Sequence, residues 1–481
     1  MPTSTPTSTN AWTRARRAAV SGTALAASVL IAAVPTVSVM TPTVHAQTDT
    51  PAANLRVTLN QLGEEHVYLA GYAFAAALGG RTDEFKIAAD TTDKNTQELG
   101  AAIGSVYGPD AQTKFLALWR AHIGFFVDYA MGAAAKDDAK KQKARADLDG
   151  YRNDIDAFLT GANPNLPKGA VAQLFAAHVQ HLTTVIDDMV AGDTAGAYDM
   201  LFMAAHQTNE IMDPLSGAIV KQFPDKFSGD PMSPAASLRV ALNDLGSEHV
   251  YLAGLAFDAA LGGRPDEFAI AAATTDNNTQ ALGAAIGSVY GRDAETKFLA
   301  LWRAHIGFFV DYAMGAASKD DAKKQKARAD LDGYRNDIDA FLTGANPNLP
   351  KGAVAQLFGA HVMHLTGVVD DIVGGNVTGA YDMLHMAAHQ THEIMDPLSG
   401  AIVKQFPDQF AMMPAAAATQ PMQPAQSTGA AAGQMMMAAR DGRSLATESA
   451  MTQAMFVAVW ADRAADQWVQ EHNAQLARQG A

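Results

Sequence analysis

The chain contains two copies of one sequence, and this duplication limits its architecture more than any other feature. Residues 55–57 read Leu-Arg-Val and return at 238–240, and residues 221–224 read Lys-Gln-Phe-Pro and return at 404–407. The offset is constant, with roughly 25 differences over about 175 aligned positions. Each copy has the size of a domain, so the pattern predicts two tandem domains rather than a solenoid of short repeats.

Breaks in composition give the expected boundaries. We place the first repeat at residues 54–227 and the second at 237–410, because the segment between them is short and rich in Gly, Pro and Ser. Residues 411–443 are rich in Met, Ala, Gln and Pro, which predicts a flexible linker. Residues 444–478 have apolar positions partly on one face, which predicts a C-terminal helix.

Apolar residues within each repeat recur at a spacing of three and four, as in Leu55, Leu59, Leu62 and Leu69. Gly and Pro residues separate these stripes, and no stretch alternates as a strand would. The pattern predicts an all-α protein of two tandem up-and-down helical bundles with five to six helices each. One of the helices is expected to be short, at residues 95–107.

The N-terminus has the three parts of a secretory signal. Basic residues near position 16 precede an apolar run at about 18–39, and Val44, His45 and Ala46 form a cleavage site of small residues. Residues 1–46 are therefore interpreted as a signal peptide, with a retained membrane anchor as the alternative. The expected location is extracytoplasmic: secreted, periplasmic or associated with the cell envelope. After signal removal no apolar stretch reaches the roughly 20 residues that span a bilayer.

Composition excludes several kinds of chemistry. With 35 basic and 50 acidic residues the formal charge is −15, which argues against a nucleic-acid partner. The chain has no cysteine, so disulfides, thiolate-bound zinc, iron–sulfur clusters and thiol nucleophiles are excluded. Phosphate loops, dinucleotide fingerprints, serine-hydrolase elbows and H-E-x-x-H motifs are absent from the sequence. The residue types left for chemistry are His, Asp, Glu and Met.

Histidines are the strongest candidates for a site. Five positions carry His in both repeats, and four of them lie on apolar stripes that a bundle brings together at its axis. The last helix of each repeat adds a polar stripe, which gains two further histidines in the second repeat. The stripe consists of His206, Glu210 and Asp213 in the first repeat and of Asp382, His385, His389, His392 and Asp396 in the second. The candidate metal ligands are His66, His122, His178, His181, His206 and Glu210 in the first repeat, and His249, His305, His361, His364, His385, His389, His392 and Glu393 in the second.

Imidazole and carboxylate are ligands of transition metals such as Cu, Zn and Fe. The leading hypothesis is a non-enzymatic metal-binding protein with one site per repeat, whose affinity weakens as the pH falls through roughly 6 to 5. The first alternative is a structural or interaction module of the cell envelope, in which the histidines serve only the core and the polar stripe is a solvated face. The second is a ferritin- or hemerythrin-like di-iron or haem protein, which the missing paired Glu-x-x-His motifs disfavour.

A resemblance adds to this interpretation. Glu65-His66-Val67, His122-Ile123, Phe158-Leu159 followed by Ala-Asn-Pro-Asn at 162–165, and Ile-Val-Lys-Gln-Phe-Pro at 219–224 are similar to the signatures of an uncharacterised family of bacterial secreted or envelope-associated helical-bundle proteins. The resemblance covers both repeats. It implies the helical fold and an extracytoplasmic setting, and it implies no catalytic residue. A partner at the cell surface or in the envelope is the expectation of the interaction-module alternative.

Overall fold

The computed structural model describes residues 48–410. The expected signal segment at 1–46, the linker at 411–443 and the C-terminal helix at 444–478 lie outside these residues. Twelve α-helices and one short 3₁₀ turn, Pro407–Gln409, make up the regular structure of the described part, which contains no strand. The prediction of an all-α protein built from two tandem helical bundles is confirmed, with six helices in each.

The helices follow one another through short connections. The first repeat contains α1 Pro51–Leu78, α2 Thr82–Tyr107, α3 Pro109–Ala135, α4 Asp138–Ala162, α5 Ala170–Ala191 and α6 Thr194–Gln222. The second repeat contains α7 Pro234–Leu261, α8 Pro265–Tyr290, α9 Arg292–Ser318, α10 Asp321–Ala345, α11 Ala353–Gly374 and α12 Val377–Gln405.

Local sequence sets the helix ends. The Thr50 hydroxyl accepts a hydrogen bond from the backbone N–H of Ala53, and Pro51 occupies the first turn of α1. Gly192 ends α5 in the left-handed conformation, with φ of 78°, which only glycine adopts at little cost.

Helix α2 is longer than the sequence indicated. It begins at Thr82 rather than near position 95. Its first half alternates charged residues with a few apolar ones, and only three of the residues 82–94 are buried, so it lacks the continuous apolar stripe on which the prediction depended.

Helix α1 lies at the centre of the described structure. Twenty of its 28 residues are buried. It packs against α2 and α6 of its own repeat and against α7 of the other. Its buried residues include charged side chains, which have partners on neighbouring helices, as Arg56 has in Asp213 of α6. None of the described helices is both long and apolar enough to cross a membrane.

The two repeats pack directly on each other through α1 with α7, α2 with α12 and α6 with α8. Tyr68 stacks on Tyr251, the residue at the same place in the other repeat, with ring centroids 5.4 Å apart and planes inclined by 12°. Glu64 likewise lies opposite its equivalent, Ser247, which donates a hydrogen bond to it. Equivalent residues therefore face one another along α1 and α7, and the interface is approximately two-fold symmetric.

Candidate metal centres

Each bundle brings three histidines together from three helices. In the first repeat these are His66 on α1, His122 on α3 and His178 on α5, which we call the first triad. Its ring centroids are 5.4, 6.3 and 6.5 Å apart, and one nitrogen from each ring lies within 4.8 Å of the others. The second triad, His249, His305 and His361, repeats this geometry with centroid separations of 5.4, 6.2 and 6.4 Å.

Aromatic side chains enclose the first triad. Helix α3 places Trp119, His122 and Phe126 on one face, since they are three and four residues apart. The His122 ring stacks on Tyr151 at 4.7 Å with planes inclined by 17°, and Phe175 packs against His178 at 5.8 Å. The three histidines are at most 2% exposed. The triad is therefore buried in a shell of mostly aromatic side chains.

The ring nitrogens of the triads have few protein partners. Nδ1 of His66 and both nitrogens of His178 are buried without a hydrogen bond, and so are the equivalent atoms of the second triad. Both nitrogens of His122 also lack a partner with hydrogen-bond geometry, although the backbone of Trp119 lies close enough to favour the protonated ring slightly. Buried polar atoms are nearly always paired, and an unpaired one costs about 1–3 kcal/mol. A metal ion is one partner that these converging nitrogens could hold.

Burial keeps these rings neutral. It lowers the pKa of His66 to about 4 and that of His178 to about 3. Burial, followed by the proximity of the other two rings, holds the pKa of His122 well below its usual value. The second triad shows the same shifts. At neutral pH all six imidazoles are thus uncharged, and the uncharged ring is the form that binds a metal.

His181 and His364 lie outside the triads, although the sequence placed them in the same sites. Each is one turn along its helix from a triad histidine but only partly buried. Burial lowers the pKa of His181, and the nearby charge of Glu210 opposes that shift. Glu393 has the same relation to His364. The structure thus brings each of these histidines near a carboxylate of the last helix and leaves both away from the triad nitrogens.

Three histidines of the polar stripe on the last helices face the other repeat, whereas Glu210 and Glu393 are exposed. Nε2 of His206 lies 3.3 Å from Oε1 of Glu248. In the second repeat, Nδ1 of His385 lies 2.6 Å from Oε1 of Glu65, and Nε2 of His389 lies 3.2 Å from Oε2 of the same carboxylate. His206, His385 and His389 are therefore joined to carboxylates of α7 and α1 across the interface, and they lie apart from the triads.

Glu65 is the buried carboxylate at the centre of this contact and is 1% exposed. Although burial opposes its ionisation, the hydrogen bonds with His385 and His389 hold its pKa well below the usual range. Sequence reasoning noticed Glu65 only as the neighbour of His66. Its recurrence as Glu248, while Glu64 becomes Ser247, was the available signal.

His392 does not reach Glu65. Its Nε2 is buried without a hydrogen-bond partner, and burial lowers its pKa to about 4. Asp396, on the same stripe, accepts two hydrogen bonds of 2.6 Å from Arg239. This end of the stripe therefore holds α7 in place.

A cavity of about 30 Å³ lies beside the second triad and is lined by His249, Phe257, Phe309 and other mostly apolar residues. This is room for about one or two water molecules. Of the three triad histidines, only His249 lines this cavity. Comparisons with protein-family models, with curated proteins and with solved structures found no match to this chain.

Proposed function

We propose that the protein is a non-enzymatic metal-binding protein that holds one transition-metal ion in each histidine triad. One observation carries the proposal: three buried, neutral imidazoles converge within 4.8 Å in each repeat, and most of their nitrogens have no other partner. The same arrangement occurs twice in one chain. The two triads therefore predict two equivalents of metal per molecule.

The donor set fits a transition metal. Three imidazole nitrogens bind Zn, Cu and Fe at about 2.0–2.1 Å, and a set of three leaves a further coordination position for a small ligand. Ligand atoms around a tetrahedral ion stand about 3.4 Å apart, so rings whose nitrogens lie within 4.8 Å of one another need only small rotations to close on the ion.

The alternatives explain these features less well. If the histidines served only the core, each triad would bury several unpaired polar atoms that a phenylalanine would avoid. A di-iron centre of the ferritin type needs bridging carboxylates. In the described part of the chain, both triads consist of histidines only and include no carboxylate.

The N-terminal pattern supports an extracytoplasmic site of action. A basic segment, an apolar run and a small-residue cleavage site precede the first repeat. In that setting the protein would meet metal ions outside the cytoplasm, as the resemblance to secreted and envelope proteins also implies.

Substitution of one histidine per triad tests the proposal. His122→Phe and His305→Phe insert an apolar ring into an aromatic shell. Each single variant is expected to lose one equivalent of Zn(II) or Cu(II) in calorimetric titration and elemental analysis, and the double variant two. His181→Gln, outside the triad, is the control and should bind as the wild type does. A double variant that retains all the metal of the wild type would refute the proposal.

A further inference from the structure

A second kind of histidine cluster lies at the boundary between the repeats. Glu65 on α1 and Glu98 on α2 belong to the first repeat, and His385 and His389 on α12 belong to the second. We propose that these four residues, the inter-repeat cluster, form a third metal site that takes a divalent transition-metal ion and links the two bundles. This inference does not depend on the triads.

The geometry brings the donor atoms together. One carboxylate oxygen of Glu65 and one ring nitrogen each from His385 and His389 lie within 4.8 Å of one another. The two histidines are four residues apart on α12, so both rings lie on one face, with centroids 4.2 Å apart. Oε1 of Glu98 lies 3.7 Å from Nε2 of His385, the ring nitrogen that does not face Glu65, so Glu98 adds a negative charge beside the three converging donors.

Hydrogen bonds from neighbouring side chains hold the Glu65 carboxylate of the cluster in position. The Tyr251 hydroxyl donates a 2.7 Å hydrogen bond to Oε1 of Glu65, and the Asn95 amide donates a 3.0 Å hydrogen bond to Oε2. Such outer partners fix the orientation of a metal-binding carboxylate. Independently, Oε2 of Glu98 is buried with no hydrogen-bond partner. That oxygen is therefore a buried hydrogen-bond acceptor without a partner.

Charge favours a divalent ion here. With the imidazoles bound to the ion in their neutral form, the two carboxylates would balance a charge of +2, and this mixture of ligands suits Zn(II) and related ions. The nearest lysine, Lys94, pairs with Asp382 at 2.6 Å, so its charge is already compensated. The ion would bind groups from both repeats and so fasten one bundle to the other.

The approximate symmetry of the interface supplies an internal comparison. The positions equivalent to Glu65, Glu98, His385 and His389 are Glu248, Ala281, Phe202 and His206. Phe202 packs against His206 with ring centroids 4.4 Å apart, much as His385 packs against His389. One side of the interface therefore has three converging ligand groups with Glu98 beside them, and the other side has only Glu248 and His206.

The first experiment removes the cluster with a side chain that the equivalent position already holds. His385→Phe in the full chain copies Phe202, and its folding is checked by circular dichroism. In calorimetric titration with Zn(II) the variant is expected to bind one equivalent less than the wild type. This difference is expected whether the triads bind zinc or not, because their contribution is the same in both proteins. Equal stoichiometry in the two proteins would overturn the inference.

The second experiment builds the cluster on the other side. The double substitution Phe202→His with Ala281→Glu gives Glu248 and His206 the partners that Glu65 and His389 have. This variant is expected to gain one equivalent of Zn(II) over the wild type, and zinc should raise its melting temperature further. No gain in a folded variant would count against the inference.

Discussion

Tyr251 of the second repeat donates a 2.7 Å hydrogen bond to Glu65 of the first, and Tyr68 returns the contact with a 2.8 Å hydrogen bond to Glu248. Each repeat thus supplies the buried tyrosine that holds the other repeat's buried carboxylate. Because both tyrosines are fully buried, water cannot take the place of the carboxylates as hydrogen-bond partners of their hydroxyl groups. The bundles are therefore expected to unfold as one cooperative unit.

Removing one of these hydroxyl groups should destabilise the whole described structure. Tyr68→Phe takes away a hydrogen bond to a buried carboxylate, and we expect a loss of about 1.5–3 kcal/mol in the free energy of unfolding. Tyr151→Phe is the matched control, since the Tyr151 hydroxyl is buried without a partner. Urea unfolding measures both. Equal stability of the two variants would show that the cross-repeat bond contributes nothing.

Replacing a triad histidine should have opposite effects with and without metal. In the presence of a chelator, His122→Phe removes two unpaired nitrogens from an aromatic shell, so we expect the free energy of unfolding to rise by about 1–3 kcal/mol. With saturating zinc the wild type should become the more stable protein, because binding stabilises only the form that binds. Thermal unfolding under both conditions checks this. A variant less stable than the wild type in chelator would contradict the expectation.

The triads should make the metal-free protein sensitive to acid. The unfolded rings bind protons at pH values below about 6.5, whereas burial lowers the pKa of His66 and His249 to about 4 in the folded state. The unfolded state thus binds more protons, and stability is lost as the pH falls from about 6.5 towards 4. The double variant His122→Phe with His305→Phe should lose less stability over this range. Denaturant unfolding at pH 7, 6 and 5 measures the slopes.

Asp244 should show the reverse dependence. Burial raises its pKa from 3.8 to about 7, although the hydrogen bond from Asn209 opposes the shift. The folded state then binds more protons, so stability falls as the pH rises from about 4 to 7. Asp244→Asn removes a penalty that reaches about 4 kcal/mol at full ionisation, and it should stabilise the protein at pH 8 but not at pH 4. An equal effect at both pH values would disprove this.

The sequence carried the information for the bundles and for the triads. Periodic apolar positions predicted the helices, and His66, His122 and His178 lie on those same stripes, so a bundle that buries the stripes also gathers the rings. The start of α2 at Thr82 was missed because its first turns are only partly buried and lack a continuous apolar stripe.

The inter-repeat cluster was not predictable in the same way. Helical periodicity tells which face of α12 carries His385 and His389, but what covers that face depends on how the two repeats dock. Because the repeats are nearly identical, a comparison between them could not show that Glu65 of one faces the histidines of the other. The replacement of Phe202 by His385 was visible in the sequence. That His385 has Glu65 as its partner became clear only from the contact between α12 and α1 of the other repeat.

The near two-fold packing of α1 against α7 also bears on what a tandem chain can do that a pair of separate subunits cannot. In a homodimer of one such repeat, every substitution would appear on both sides of the axis, so both interface positions would stay alike. In a single chain that contains both repeats, a substitution can occur on one side of the interface without occurring on the other. Phe202 and His385 are such a divergent pair, and they give the two sides of one interface different ligand sets.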